Sequence, residues 1–272
     1  MEQDILRKFQ TIFSMTLIEY KLDFKELEGI LIHYEIDTAR VGRLGYCNLI
    51  FALNSFFEEN NINNAKQYFY NCSLLDAYRV INYQDRLFDY DLHSIGYAML
   101  SDNLPFIKDV YANLTYSGFY YEDKTYQKIP VTMEDNVLSG ESAIFVHTIQ
   151  QFIKNETELI ERNLNIMETL YIKKNKAESV LMKYDIDFFK ALHNKDKAKC
   201  ESILDEMTSP VIHKKRNDDA LLKKYISMPA LGYAKLAWLK GVEVEVKSKL
   251  IPKELLPISP LEKYEIPYNF LK

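Results

Sequence analysis

Glycine and proline are scarce, eight of each in 272 residues. β-sandwiches, β-barrels and doubly wound sheets use turn residues at nearly every connection, so this scarcity weighs against all three and toward helices. Cysteine is limited to Cys47, Cys72 and Cys200. The set is odd and no pair has a two-residue spacing, which argues against a disulfide framework and a zinc ribbon and leaves buried, reduced thiols as the expectation. The longest apolar stretches, such as LIFAL at 49–53, fall far short of the ~20 residues that cross a bilayer, so no membrane association is expected. Glu2, Asp4, Arg7, Lys8 and Glu19 interrupt the first 20 residues, where an export signal would need an apolar core. The cytoplasm is the expected compartment.

Chemical signatures are missing too. The chain has no G-x-G, no G-x-x-x-x-G-K-[ST], no G-x-S-x-G and no kinase-type set of motifs. His33, His93, His147, His193 and His213 are scattered, with no H-E-x-x-H and no E-x-x-H that would put two ligands on one helix face. Paired carboxylates such as Glu58 with Glu59, or Glu134 with Asp135, are sequence neighbours that point about 100° apart on a helix, which suits a surface better than a shared acid–base site. No catalytic residue, metal or cofactor is therefore expected.

What is present is a chain 47% hydrophobic and 13% aromatic, with 34 basic against 39 acidic residues, a composition that folds around a substantial core. Apolar stripes at helical spacing begin with Ile5, Phe9, Ile12, Phe13, Leu17 and Tyr20. Asp23 followed by Glu26 has the spacing of a capping box ahead of Leu27, Ile30 and Leu31. Residues 36–60 read as one helix opened near Asp37 or Thr38, in which Gly42 and Gly45, three apart, would let another helix approach closely. Further helices are predicted at 63–83 and as a pair over 93–114 joined at Ser101–Pro105. The same helix, polar connector, helix grammar recurs around 152–164 and 188–207. The expectation is an all-α fold of stacked antiparallel helical hairpins; no fixed period appears, so a repeat architecture stays open. Residues 118–140 break the pattern with Gly118, Pro130 and Gly140 and read as a long connection, either a contact surface or a seam inside one domain over 1–272.

Charge is uneven. Residues 1–140 hold 20 acidic and 12 basic side chains, a balance of −8, whereas 141–272 hold 19 and 22, a balance of +3. An acidic face disfavours direct nucleic-acid binding and favours a basic protein partner. The 20 Tyr and 15 Phe residues suit helix packing, and Tyr clusters also suit protein recognition.

The C-terminal quarter has the most distinctive order. DDALLKKYISMPALGYAKLAWLK at 218–240 reads as a helix stopped by Gly241, GVEVEV alternates like a short strand near 242–246, and KSKLIPKELLPISPLEKYEIPYNFLK brings four of the eight prolines. The internal Met-Pro-Ala-Leu, the Ala-rich end, Lys-Gly, the Val-Glu alternation and Ile-Pro-Lys-Glu-Leu-Leu resemble the signature of the Imm49 family of bacterial immunity proteins over 225–270, through Pro257, Pro260 and Tyr264. The resemblance implies a mostly helical cytoplasmic antidote that binds and neutralises a cognate toxin of a polymorphic toxin system, without catalysis. Its motif positions Pro229, Ala230, Leu231, Gly232, Gly241 and Pro252 read as architecture: Pro229 bends or interrupts a helix, Ala230 and Gly232 allow close packing, and Gly241 ends the helix.

Joining the resemblance to the acidic N-terminal half gives stoichiometric inhibition of a toxin domain, with a basic nuclease as a fitting target. The candidate contacts are Glu58 and Glu59 at a helix end, Asp85, Asp89 and Asp91 in the next connection, and Tyr120, Tyr121, Glu122 and Asp123 in the long loop. The alternative is a helical-repeat adaptor for a partner that is not a toxin.

Overall fold

The computed structural model describes residues 2–33, 36–89, 94–122, 125, 127–173, 176–217, 219 and 222–272. The first helix, α1, spans Glu2–His33 without a break, so the Asp23–Glu26 capping box does not form. Asp23 turns instead to Arg43 of the next helix, at 2.6 and 3.3 Å. That helix, α2 (Thr38–Phe57), is opened by Asp37, whose carboxylate accepts from the Arg40 backbone N–H at 2.8 Å. A connector from 58 to 61 leads into α3 (Ile62–Tyr83), capped in the same way by Asn61. So short a link between helices packed along their length makes an antiparallel pair. The close-approach reading of the two glycines is half met: an added Cβ at Gly42 would lie 3.5 Å from the Arg79 guanidinium, while at Gly45 it would meet nothing within 4 Å.

α4 (Ser94–Leu100) packs on α3 and ends in the turn Ser101–Asn103, with Asp102 at φ +57°. A short π-helical turn at Phe106–Val110 follows. The 118–140 segment is not an unstructured connection. It holds an antiparallel hairpin, β1 (Phe119–Glu122) with β2 (Lys128–Val131), paired Phe119 to Val131, and then α5 (Met133–Ser139). Thr132 and Asp135 cap α5 reciprocally, and Gly140 closes it at φ +75°. Asp135 lies beyond the Pro130 that reads as a breaker, which is why the local cap was masked by its surroundings.

The second half is a run of sequentially packed helices: α6 (Ala143–Lys154), α7 (Thr157–Lys173), α8 (Lys176–His193), α9 (Lys197–Met207) and α10 (Pro210–Arg216). The 218–240 helix is two pieces, α11 (Leu222–Tyr225) and α12 (Met228–Leu239). Every residue of α12 from Met228 to Ala237 is buried, so this helix has no solvent face and lies between α4 and α9. Tyr233 stacks on Phe188 with centroids 4.8 Å apart, and Phe189 stands 5.1 Å away. One hydrophobic core reaches from Leu49 to Leu256, with contributions from both sides of residues 118–140.

The strand expected at 242–246 does not form. Val242 and Val244 are buried while Glu243 and Glu245 are exposed, so the alternation is real, but its partners are side chains. Trp238 Nε1–H donates to the Val244 carbonyl at 3.0 Å, and Glu201 accepts from the Glu245 N–H at 2.8 Å. Alternation reports which face is covered, and here helices cover it.

Candidate partner-binding surface

The nine candidate contact residues do not assemble into one acidic patch. Glu58 and Glu59 are exposed at the C-terminal end of α2, while Asp85 accepts from Thr38 at its N-terminal end, at 2.9 Å. Twenty residues of helix separate these ends by about 30 Å. Tyr120, Tyr121 and Glu122 are backbone positions of β1. That hairpin belongs to the Asp85 end, because the Gln84 amide oxygen accepts from the N–H groups of Ser117 and Gly118 at 2.7 and 3.0 Å. Asp91 and Asp123 lie outside the described residues.

Most of the described carboxylates are engaged internally. Asp85 receives Arg79 at 2.9 and 2.7 Å as well as Thr38. Asp89 accepts the Tyr116 hydroxyl at 2.7 Å and the Asn136 amide at 3.2 Å, and pairs with Arg86. Burial first, and the bond to Asp89 second, push the Tyr116 phenol well up. The groove of about 670 Å³ between these groups thus carries Arg79 and Arg86 beside the two aspartates and is not an acidic field. Glu59 holds its oxygens on Asn54 and Ser55 at 2.7 and 3.0 Å.

The positions read as architecture do act through packing. Pro229 stands in the first turn of α12, where its missing N–H leaves no helical bond unmade; it opens that helix and separates it from α11. Ala230 and Leu231 are fully buried and Gly232 is buried with them. Gly241, at φ +76°, ends α12: its N–H reaches Trp238 and the N–H of Val242 reaches Ala237, the paired bonds of a Schellman stop. Pro252 opens a single 3-10 turn at Lys253–Leu255.

A buried charge cluster was not anticipated from the sequence. Asp102 and Lys235 have no exposed surface and Lys66 is 3% exposed. Lys66 Nζ lies 2.9 Å from one Asp102 oxygen and Lys235 Nζ lies 2.6 Å from the other. Both ammoniums also reach the Pro-rich tail: Lys66 donates to the Ser259 carbonyl at 2.6 Å, and Lys235 to those of Leu255 and Pro257 at 2.8 and 2.9 Å. Ser259 N–H returns to Asp102 at 3.2 Å. Beyond it, the Tyr264 hydroxyl donates to the Ser101 carbonyl at 2.7 Å, and Gln67 exchanges two bonds with the Glu265 backbone at 2.9 and 3.0 Å. Burial lowers the Lys235 ammonium to about 8, with Asp102 opposing and Lys66 adding to the fall. The available signal was Lys235 itself, a lone charge in a helix apolar on every side.

A second buried group, Arg216 with Asp185, is bidentate at 2.5 and 3.1 Å and takes the Tyr233 hydroxyl at 2.6 Å. It ties α10, α8 and α12 together. His147 sits against Asn163 and Gln151 at 2.8 and 3.0 Å, and burial lowers it to about 4. The three cysteines are buried and unbridged, and burial raises Cys47 to about 11 and Cys200 to about 12. Among the described residues, no group of three or more His, Cys, Asp or Glu is arranged to hold a metal, and no helix is long and apolar enough to cross a membrane.

Two hollows lie around the irregular segment after α12. A hollow of about 620 Å³ opens between Phe56 and Phe57 of α2 and Ile251–Lys253, and another of about 680 Å³ opens over Trp238, Val244 and Leu256. Both are bordered by Val246 and Lys247.

Residues 143–255 match the Imm49 family, immunity protein 49. The family matched is the one that the C-terminal signature resembles, and the matched stretch starts well ahead of residue 225, at the first residue of α6. It takes in α6 to α12, the Gly241 stop and Pro252. It ends at Leu255, so Pro257, Pro260 and Tyr264 lie outside it. No curated protein and no solved structure matches the chain.

Proposed function

We propose that the protein is a cytoplasmic immunity protein that neutralises a cognate bacterial toxin by binding it stoichiometrically, without catalysis. The Imm49 match over α6–α12 carries this reading. The fold supports it in a general way: an all-round buried α12, fixed at one end by Pro229 and at the other by Gly241, makes a stiff scaffold that can present a surface with little ordering cost. We treat residues 1–272 as one unit, because the core draws on helices from both sides of the β-hairpin. Glu58 with Glu59, and separately the β1 end with Tyr120, Tyr121, Glu122 and Asp123, remain the proposed acidic contacts toward a basic toxin such as a nuclease. The aspartates Asp85 and Asp89 would act there by holding the connection in shape.

The test is growth of cells expressing the C-terminal domain of the toxin-like protein encoded beside this gene, with and without this chain. Rescue with co-purification in a fixed ratio is the expected result. Failure to rescue with both proteins expressed and folded would remove the antidote reading and leave a helical adaptor for another protein.

A further inference from the structure

The hollow beside α2 combines an apolar floor with an unbalanced rim. Phe56, Phe57, Ile62 and Ile251 line its base. Lys247, Lys249 and Lys253 are all exposed on its border, with Glu254 as the opposing charge among its lining residues. Among the described residues, none of these three ammoniums has a carboxylate within ion-pair distance. The neighbouring Lys197 behaves differently: on the second hollow it is held by Glu245 at 3.0 Å and Glu201 at 3.6 Å. Three like charges within seven residues repel one another, while the floor they surround exposes aromatic and aliphatic surface.

The volume lies within the ~300–1,000 Å³ of ordinary binding clefts. An apolar base with a charged rim is also the anatomy of a protein-recognition site, where a buried anchor supplies affinity and the rim supplies steering and register. A phosphate backbone suits it poorly, since Glu254 stands on the same border, Glu58 directly follows Phe57, and the whole chain is acidic.

We propose that this hollow is the docking point for an acidic segment of the toxin, one that inserts an aliphatic or aromatic side chain against Phe56, Phe57 and Ile251 while flanking carboxylates meet Lys247, Lys249 and Lys253. The proposal rests on the toxin-binding reading above and names a face for it. It places the basic rim of the contact on the +3 half of the chain, at a loop inside the family-matched stretch, and the apolar floor partly on α2 of the −8 half.

The experiment measures binding of the purified full chain to the toxin domain used in the rescue assay, at low and at high salt. It compares the parent chain with the triple variant Lys247→Glu, Lys249→Glu, Lys253→Glu, and with Glu58→Lys as a charge change at the end of α2. All four positions are exposed, and unchanged melting of each variant confirms the fold. The expected result is a loss of about tenfold or more in low-salt affinity for the triple variant, mostly through slower association, and a flattened salt dependence. Binding by the triple variant as tight as the parent's would overturn the docking site and leave the immunity reading standing. No binding by the parent chain would overturn both.

Discussion

Asp102→Asn removes the charge that holds the tail in place. The residue sits at φ +57°, a conformation that Asn adopts as readily as Asp, so the backbone contributes nothing to the difference. Shape is kept as well. What is lost is the negative charge between two buried ammoniums at 2.9 and 2.6 Å, together with one of the two accepting oxygens, since the amide NH2 that replaces it is a donor. Breaking a buried ion pair by neutralising one partner costs about 3–5 kcal/mol, because the remaining charge has no compensation, and here two ammoniums are left facing each other. Against a typical total of ~5–15 kcal/mol this is a large share. Urea unfolding followed by far-ultraviolet circular dichroism at pH 7 should show the midpoint falling by about 1–2 M. Adding Lys235→Met to Asp102→Asn should recover part of the loss, since it removes one unpaired charge, and that non-additivity is the signature of direct coupling. A loss under about 1 kcal/mol, or strictly additive effects, would refute the view that Asp102 is the anion on which both lysines depend.

Other outcomes follow from the same geometry. Lys235 titrates near 8 in the fold and at 10.5 when solvated, so the unfolded chain holds the extra proton between these values and this group's contribution to stability rises with pH across that window, by up to about 1.4 kcal/mol per pH unit. Urea titrations at several pH values should show that slope in the parent and not in Lys235→Met. His147 is lowered from 6.5 to about 4; its neutral form is the folded one, so stability falls as pH drops from about 6.5 toward 4, and His147→Gln should flatten that acid limb. Gly140→Ala and Gly241→Ala both place a Cβ at positive φ, a penalty of about 1–2 kcal/mol. Only at Gly140 does the added atom meet a neighbour, 1.8 Å from Leu170 Cδ1, so thermal melting should drop clearly further for Gly140→Ala, by an additional ~1–3 kcal/mol. Equal losses at the two sites would show that Leu170 yields freely.

Local signals in the sequence were reliable where they satisfied backbone groups of their own helix. Asp37 capping α2 and Gly241 stopping α12 are legible because the physics is confined to a few neighbouring residues. Asp23 carried the same kind of signal and was claimed by Arg43, twenty positions away, a competition that no local pattern records. The 242–246 alternation reads as a short strand and none forms there, because alternation records which face is covered without saying whether a strand or another element covers it. The partner-facing features were the least legible. Asp85 and Asp89 look like free acids until Arg79, Arg86 and Tyr116 are brought to them by the fold. The lysine rim of the hollow beside α2 became visible only once residues 247–253 were placed against Phe56 and Phe57, some 190 positions earlier in the chain.

The buried lysine–aspartate cluster also fixes when the fold can be finished during synthesis. Lys66 and Gln67 leave the ribosome with α3, yet their partners Ser259 and Glu265 follow 193 and 198 residues later. At translation rates of ~5–20 residues per second, that is about 10–40 seconds in which Lys66 and Asp102 lack their partners in the tail. The cluster therefore closes by a long-range step that waits for the Pro-rich tail, and a chain ended before Leu255 would lack the backbone carbonyls to which Lys66 and Lys235 donate.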